Sequence, residues 1–327
     1  MWLMMSKEGC TVYPVMIPAK YNLRTFNFYL VEEAGSLSLI DAGINTDECW
    51  AALTRTLNDN GFGLQDIHQV ILTHNHEDHT GLLNRIGAVK SVPVYAHKES
   101  IHRLKREAWF FSMRVEFFAQ LYREMGCGAA GELQVQKLKE AVQTNAKRRI
   151  EADIVPLDDG DTVAGLCVIE TPGHSPDHIM LLDERRKWLF SGDHLLGHIS
   201  SNALVEPDRQ GQRIATLVQY VKSLQKCAAL EVETVYPGHG APIFQHQELV
   251  AARLRRIAEK AERMRKMIEK GIATADELAR TYYKDKYTSQ FSLVMSDMIG
   301  HLDYLESRHQ IQKAYRNGIW HYEAVPV

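Results

Sequence analysis

The sequence is poor in cysteine and contains no long apolar run. The 5 cysteines among its 327 residues are widely separated, and none forms a Cys-x-x-Cys pair. This excludes a disulfide framework and a thiolate metal cluster, so we expect reduced thiols. The apolar N-terminal segment, residues 1–5, is too short for the core of a secretory signal, and no segment is long enough to span a bilayer. We therefore expect a cytoplasmic protein with no membrane partner.

The sequence also lacks an excess of charge of either sign. Its 38 Lys and Arg residues against 41 Asp and Glu residues give a net charge of −3. Such a balance creates no general attraction to nucleic acid or to anionic membranes. A small-molecule substrate is therefore expected, and a nucleic-acid partner is disfavoured.

What the sequence does contain is a dense group of potential metal ligands in residues 73–81. His74, His76, Asp78 and His79 follow directly after the apolar run 70–72. Imidazole and carboxylate groups suit a borderline cation such as zinc, and a strand end can direct them toward adjacent ions. Short motifs of this kind also occur as surface loops, so further signals are needed.

Three later turns supply those signals. Residues 170–176, 190–194 and 235–240 each follow a short apolar run and place a histidine or an aspartate beside a glycine. Glycine permits a tight bend that brings a ligand at a strand end close to an ion. The candidate ligands in these turns are His174, Asp193 and His239.

With Asp41 in the segment 39–43, this order of residues resembles the metallo-β-lactamase superfamily, over roughly residues 10–245. The resemblance implies an α+β fold, the four-layer αββα sandwich. It also implies that His74, His76 and His174 hold a first metal ion and that Asp78, His79 and His239 hold a second.

Asp193 would bridge the two ions, and an anionic bridge offsets the repulsion between two dications. Asp41 would orient a ligand histidine, although it can also be read as a turn cap before Gly43. The resemblance thus assigns Asp78, Asp193 and Asp41 to the catalytic centre. His76 favours two zinc ions, with iron or manganese as alternatives, and a mononuclear iron dioxygenase branch of the superfamily shares the same motif.

The function implied is that of a metal-dependent hydrolase. A hydroxide bridging the metals would attack an ester-type bond, such as a thioester or lactone, in a small and partly apolar substrate. The alternative is a phosphodiesterase, an endoribonuclease or a nucleic-acid-binding protein. Only 64 residues separate His174 from His239, which leaves no room for the inserted domain of some RNA-processing branches.

Two segments are candidates for substrate contacts. The loop after Asp193 carries polar side chains able to stabilise a developing charge. Residues 100–150 interrupt the alternation of strands and helices with an aromatic helical insertion, which we interpret either as a lid over the metals or as a helical hairpin or homodimer contact. The candidate residues are His194, His198, Ser200, Asn202, Trp109, Phe110, Phe111 and Phe118.

Residues 246–327 follow the last ligand and form a predicted second domain beside the catalytic domain 1–245. A basic helix is predicted over 247–270, and a capping box at 274–277 opens a second helix. A third, amphipathic helix is predicted to expose Ser292, Ser296, Asp297, Asp303 and Glu306, which would repel a phosphate backbone.

Asn317-Gly318 predicts a two-residue hairpin at the end of this domain. This succession of helices and a hairpin resembles the C-terminal winged-helix module of one branch of the superfamily, which includes β-lactamase-like and hydroxyacylglutathione-hydrolase-like proteins. A packing role is expected for the module rather than DNA reading.

Overall fold

The computed structural model describes residues 4–326, so most of the apolar segment 1–5 lies outside the described residues. Its first sheet has seven strands in sequence order, antiparallel from β1 to β4 and parallel from β4 to β7. The strands are β1 (Met5–Lys7), β2 (Cys10–Pro18), β3 (Thr25–Glu33), β4 (Ser36–Ile40), β5 (Ile67–Ile71), β6 (Val94–His97) and β7 (Ile154–Leu157).

The second sheet has five strands in the order β12-β11-β10-β9-β8, and only the β11–β12 pair is parallel. Its strands are β8 (Thr162–Val163), β9 (Leu166–Glu170), β10 (Ile179–Asp183), β11 (Trp188–Gly192) and β12 (Thr234–Pro237). A separate hairpin near the C-terminus consists of β13 (Ile311–Arg316) and β14 (Ile319–Ala324).

Helices cover the outer faces of both sheets and form the C-terminal region. They are α1 (Asp47–Asp59), α2 (Glu77–Thr80), α3 (Leu83–Val89), α4 (Ile101–Leu104), α5 (Ala108–Glu124), α6 (Gly128–Asn145), α7 (Thr216–Ala228), α8 (His246–Glu269), α9 (Ala275–Tyr283), α10 (Lys286–Ser289) and α11 (Phe291–Ser307). In the described residues, no helix combines the length and the apolar character needed to cross a bilayer.

Three layers of apolar side chains hold the sheets and helices together. Tyr29 and Ile71 of the first sheet meet Phe190 and Tyr236 of the second in the central layer. The helices α1 and α3 cover the outer face of the first sheet, while α7 and α8 cover that of the second. Because each sheet buries both faces, the four-layer αββα sandwich predicted from the sequence is confirmed.

The helical insertion and the C-terminal region share a fourth core. Phe118, Leu121 and Tyr122 of α5 contact apolar residues of α8, α9 and α11, and the Tyr122 and Phe291 rings lie 5.1 Å apart. The insertion is therefore anchored to the C-terminal helices along one of its faces. A mobile lid of low local stability would not have such a buried face.

Helix α11 does not present the polar face predicted for it. Ser296 and Asp303 are each only 8% exposed, and Asp303 forms an ion pair with Arg213 at 2.9 Å. Ser292, Asp297 and Glu306 are only partly exposed, and α7, α8 and α9 all pack against this helix. The hairpin turn follows the prediction, since Asn317 and Gly318 both have positive φ, as a type I′ turn requires.

Candidate metal centre and substrate cleft

The potential ligands lie where strands of both sheets end at one edge of the sandwich. Strand β5 leads into His74–His79, β9 into His174, β11 into Asp193 and β12 into His239. The parallel pairs β4–β5 and β11–β12 end at the same edge, so docking of the two sheets brings their loops together. Residues distant in the sequence thus converge on one site.

The structure brings together all seven residues that the sequence analysis named as metal ligands. Their donor atoms form three groups, each within 4.8 Å. One group is His74, His76 and His174, a second is Asp78, His79 and His239, and a third joins His74 and His79 to Asp193.

Asp193 lies between the two outer groups. Its Oδ2 is 3.6 Å from Nε2 of His174 and 3.3 Å from Nε2 of His239. Its Oδ1 lies 3.4 Å from Nε2 of His79. One carboxylate therefore faces both halves of the cluster, which is the position a bridging ligand requires.

The donor atoms of this cluster suit bound cations. Nε2 of His74, His79 and His239 and Oδ1 of Asp193 are buried, and none has a hydrogen-bond partner among the described residues. Buried polar atoms without partners are costly, and coordination to a metal ion would satisfy all four. The mixed imidazole and carboxylate set is the one that zinc accepts.

Four of the histidines are fixed from behind through Nδ1. His79 donates to Asp41 Oδ2 at 2.8 Å, His239 to the Thr25 carbonyl at 2.8 Å, and His174 to the Asn202 carbonyl at 3.0 Å. His74 lies 3.1 Å from the Thr73 hydroxyl. These contacts set the tautomer that leaves Nε2 free. His76 instead directs Nδ1 toward Nε2 of His174, at 3.0 Å.

Asp41 is held in place by Thr73. The Thr73 amide donates to Oδ1 and its hydroxyl to Oδ2, both at 2.8 Å. Asp41 has a φ of 58°, a left-handed conformation that is unusual for a residue other than glycine. A backbone held in this way at a site residue indicates that the position of the carboxylate matters more than local strain.

Electrostatics also favour positive charge at this site. Burial lowers the pKa of His79, but Asp41, Asp193 and Asp78 outweigh this effect and raise it well above its ordinary value. Burial likewise opposes protonation of His239, yet the carboxylates of Asp193 and Asp78, at 3.3 and 3.4 Å from its Nε2, raise its pKa to about 9. Burial and neighbouring histidines lower the pKa of His74. The carboxylates thus demand cationic partners, which protons supply in part when no metal is present.

Gly238 is needed for the close approach of β12 to the cluster. A Cβ atom there would lie 2.5 Å from Oδ1 of Asp193 and 2.6 Å from Cε1 of His79. Both contacts are far inside van der Waals distance, so no larger residue fits without displacing a candidate ligand.

A cleft of about 430 Å³ opens onto the cluster. His76, Asp78 and His174 form its floor, and the partly exposed Phe111 of α5 contributes an apolar wall, behind which Phe110 is fully buried. The side chains at its other borders include Arg103, Arg106, Arg114, Leu204 and Glu206.

The predicted residues of the loop after Asp193 do not line the cleft, contrary to the sequence-based prediction. His194 is fully buried and packs edge-on against Tyr220, with 5.1 Å between ring centroids. It points away from the cleft because it follows Asp193 directly and faces the opposite side of the chain. His198 lies 2.8 Å from the Asn22 carbonyl through Nε2.

Ser200 and Asn202 line a separate cavity between α7, α8 and α11. This loop contacts the cluster through the Asn202 carbonyl and the Ser201 hydroxyl, which lie 3.0 and 2.9 Å from Nδ1 of His174. The loop therefore supports a ligand, and its side chains do not border the cleft.

The four aromatic residues of the insertion that were predicted to contact substrate do not all lie at the cleft. Phe110 and Phe111 border the cleft, whereas Phe118 is buried in the core shared with the C-terminal helices. Trp109 is 51% exposed, and its Nε1 donates to Glu107. The helical period separates these positions onto different faces of α5, so a single run of aromatic residues serves two purposes.

Sequence reasoning missed several buried polar residues around the site. His178 accepts the Asp193 amide at 3.1 Å, and Asp177 accepts from Asn75 and Ser100, both at 2.6 Å. Arg253 of the predicted basic helix is only 5% exposed and donates to the carbonyls of Leu196 and Ile199. The segment 174–178 offered one signal, since it concentrates polar residues immediately after a candidate ligand.

Comparison with known proteins adds three observations. Residues 24–239 match the family model described as "Metallo-beta-lactamase superfamily". A Bacillus subtilis protein named "Probable metallo-hydrolase YqjP" is 32% identical over 301 residues, which cover 92% of this chain and 93% of that protein. A thioesterase of Emericella nidulans is 27% identical over 252 residues, 76% of this chain but only 55% of that protein.

Solved structures resemble the whole chain. A metallo-beta-lactamase family protein from Thermus thermophilus superposes with a TM-score of 0.77 at 26% identity, covering 96% of this chain and 98% of that one. A beta-lactamase domain protein from Burkholderia ambifaria gives a TM-score of 0.78 at 20% identity, with coverage of 98% and 94%. Both likenesses extend beyond the sandwich, so the C-terminal helices occur in other proteins of this fold.

Proposed function

Because the chain belongs to the metallo-β-lactamase superfamily and is a metal-dependent hydrolase, we propose that it cleaves a thioester or related ester at a pair of zinc ions. The observation that carries this proposal is the cleft, whose floor is the ligand cluster and whose wall is apolar. A substrate with an apolar portion can place that portion against Phe111 while its ester carbonyl reaches the cluster.

His74, His76 and His174 would hold one zinc ion, Asp78, His79 and His239 the other, and Asp193 both. Zinc ions bound there would polarise the ester carbonyl and lower the pKa of a water molecule. The chain's own contribution is to orient the ligands through Asp41, Thr25 and the Asn202 carbonyl. Burial of His79 and His239 additionally excludes bulk water from the inner half of the cluster.

The relatives support an ester-type substrate. Two fungal proteins that align with about three quarters of this chain are named thioesterases, at 27% and 23% identity. This chain spans 55% and 59% of their lengths, so their names do not fix the substrate of this chain. The free state of all five cysteines agrees with a reducing compartment, and a cytoplasmic location stays a prediction.

We assign the C-terminal helices and hairpin a packing role in a winged-helix-like module. The shared core with α5 and the contacts of Arg253 with the loop 196–199 support this assignment. Through these contacts the module fixes both the apolar wall of the cleft and the loop that holds His174.

The test is to measure metal content first and activity second on the same preparation. We expect two zinc equivalents per chain and cleavage of acyl thioesters, which is measured through the release of the free thiol. Lactones, β-lactams and single-stranded RNA complete the panel, and Asp193→Asn serves as the variant with an impaired centre. Cleavage of RNA alone, or thioester cleavage unaffected by Asp193→Asn, would overturn the proposal.

A further inference from the structure

One border of the substrate cleft carries more cationic groups than its neighbours neutralise. Arg103 of α4 and Arg106 just beyond it both line the cleft that contains His76 and His174. The same two arginines line an adjoining cleft together with Lys147 and Arg148. The two clefts therefore lie side by side and share Arg103 and Arg106 as lining residues.

Arg103 is a buried cation without an ion-pair partner. It is 6% exposed, and its guanidinium lies 4.6 Å from the centre of the Phe110 ring. One nitrogen, Nη1, donates to the Glu99 carbonyl at 2.9 Å and lies 2.7 Å from Nε2 of His102. Among the described residues, no carboxylate oxygen lies within 4.0 Å of this guanidinium.

The nearest carboxylates are already engaged elsewhere. Asp177 accepts hydrogen bonds from Asn75 and Ser100. Glu206 accepts hydrogen bonds from Nε and Nη2 of Arg114, with Nε 2.8 Å from Oε2. Arg103 acts on both carboxyl groups through space, but neither meets its guanidinium directly.

Arg106 is also incompletely compensated. Its Nη2 donates to Glu77 at 3.0 Å, yet the same carboxylate also accepts from Arg148. The Nε of Arg106 is buried and has no partner among the described residues. One carboxylate therefore serves two guanidinium groups, and one donor of Arg106 is left unused at the border of the cleft.

Such an arrangement costs free energy in the absence of a ligand. A buried guanidinium whose nearest carboxylates lie beyond ion-pair distance and a buried N–H without an acceptor are both unfavourable. Guanidinium groups bind carboxylate and phosphate oxygens through paired hydrogen bonds. An oxyanion between Arg103 and Arg106 would offset both costs at once.

We propose that Arg103 and Arg106 bind an oxyanion, a carboxylate or a phosphate, that belongs to the substrate itself. This inference rests on the proposed ester hydrolysis and specifies its substrate: a thioester that combines an apolar portion with an anionic group. The apolar portion contacts Phe111, and the anionic group lies between Arg103 and Arg106, on the side of Lys147. The anion belongs to the substrate because the arginines share their cleft with the ligand cluster.

The experiment compares substrates that differ only in one anionic group. Butyryl thioesters of pantetheine and of pantetheine 4′-phosphate test a phosphate on the thiol half. Butyryl and succinyl thioesters of N-acetylcysteamine test a carboxylate on the acyl half. We expect the parent enzyme to prefer the anionic member of one pair by about tenfold or more in kcat/KM, the range of a charged hydrogen bond. The pair that shows the preference identifies the source of the anion.

Variants then assign the preference to the arginines. Arg106→Gln and Arg103→Gln should both bring the ratio of kcat/KM within the pair close to one, because kcat/KM falls more for the anionic member than for the neutral one. Arg103→Lys should restore part of the ratio. Arg316→Gln, on the exposed hairpin, is the matched control and should leave the ratio unchanged. If the buried Arg103 proves essential for folding, Arg106→Gln carries the test alone.

A binding measurement separates this inference from the proposed function. Thioethers cannot be hydrolysed, so calorimetry can measure their affinities. One pair is the S-methyl thioethers of pantetheine and of its 4′-phosphate. The other pair is the S-methyl and S-carboxymethyl thioethers of N-acetylcysteamine. Preference for an anionic ether that Arg106→Gln abolishes supports the site even if no thioester is cleaved. Equal affinities within both pairs, or a preference that survives in both glutamine variants, would overturn it.

Discussion

At the scale of single residues, Asp41 and Asp193 contact opposite ends of the His79 ring. Asp41 accepts from Nδ1, and Asp193 faces Nε2. We predict that Asp41→Asn lowers metal affinity or catalytic rate by about 10–100-fold, because it weakens the contact that orients His79. Asp193→Ala should reduce bound metal below two equivalents and abolish hydrolysis. Metal titration and steady-state kinetics measure both effects.

Thr11→Ala is a suitable control, since its hydroxyl contacts only Ser6 far from the cluster. An Asp41→Asn enzyme with the metal affinity and the rate of the parent would show that Asp41 only stabilises its turn. In that case Thr73, which donates to the same carboxylate, would also have no part in orienting His79.

The ligands could be named from the sequence because each sits beside a glycine or another ligand at a strand end. Their types and spacing carry the chemistry. Arg103 and Asp177 could not be named, since an isolated arginine and an Asp after a proline are common on surfaces. Only tertiary packing makes the first a buried cation and the second a carboxylate held by Ser100 and Asn75.

At the scale of elements, the two faces of α5 perform different tasks. Phe111 borders the cleft and Phe118 lies in the core with the C-terminal helices. We predict that Phe111→Ala raises KM for long-chain substrates more than for short-chain ones, with little change in stability. Phe118→Ala should instead destabilise the protein by about 3–5 kcal/mol. Thermal unfolding and a chain-length series of thioesters distinguish the two variants.

The sequence predicts either a lid or a helical hairpin or homodimer contact for this insertion, and it assigns Phe118 to the substrate together with Phe110 and Phe111. The partner of its buried face comes from residues 246–327, and no local pattern reveals a partner so distant in sequence. The reverse result, a stable Phe118→Ala protein with altered chain-length preference, would contradict the division of α5 into two faces.

Helix α11 carries a buried acid whose proton affects stability. Burial raises the pKa of Asp303 from 3.8 to about 6, and Arg213 opposes this only in part. The folded protein therefore retains this proton where the unfolded chain has lost it, and its stability falls as pH rises through this interval. Asp303→Asn has no such proton.

We expect the parent to lose up to about 3 kcal/mol of unfolding free energy, relative to Asp303→Asn, as pH rises from about 4 to about 6. Denaturant unfolding at several pH values measures the difference, in which contributions from other groups cancel. A difference independent of pH would show that Asp303 is ionised in the fold throughout this range.

At the scale of the whole molecule, the boundary at residue 245 is a boundary in sequence more than in structure. Residues beyond it supply Val250 to the core over the second sheet and Arg253 to the loop that holds His174. We predict that a chain ending at residue 245 fails to form a stable, metal-binding protein, because Phe118 and Tyr122 would face water. Solubility, circular dichroism and metal content test this.

A truncated chain that is folded and monomeric and binds two metal ions would instead establish the independent catalytic domain predicted from the sequence. The sandwich itself was predictable, because its strands alternate with helices and end in recognisable turns. The mutual dependence of the two parts was not, since it resides in contacts between α5, α8 and α11.

The distribution of the ligands over both sheets has a consequence for how the protein acquires its metal. The unfolded chain offers only the local group from His74 to His79, whereas His174, Asp193 and His239 join it only when the two sheets dock. Metal therefore binds the native state far more tightly than the unfolded one. By mass action, the free energy of unfolding rises with the concentration of free metal. Metal depletion would therefore destabilise the fold as well as remove the catalytic group.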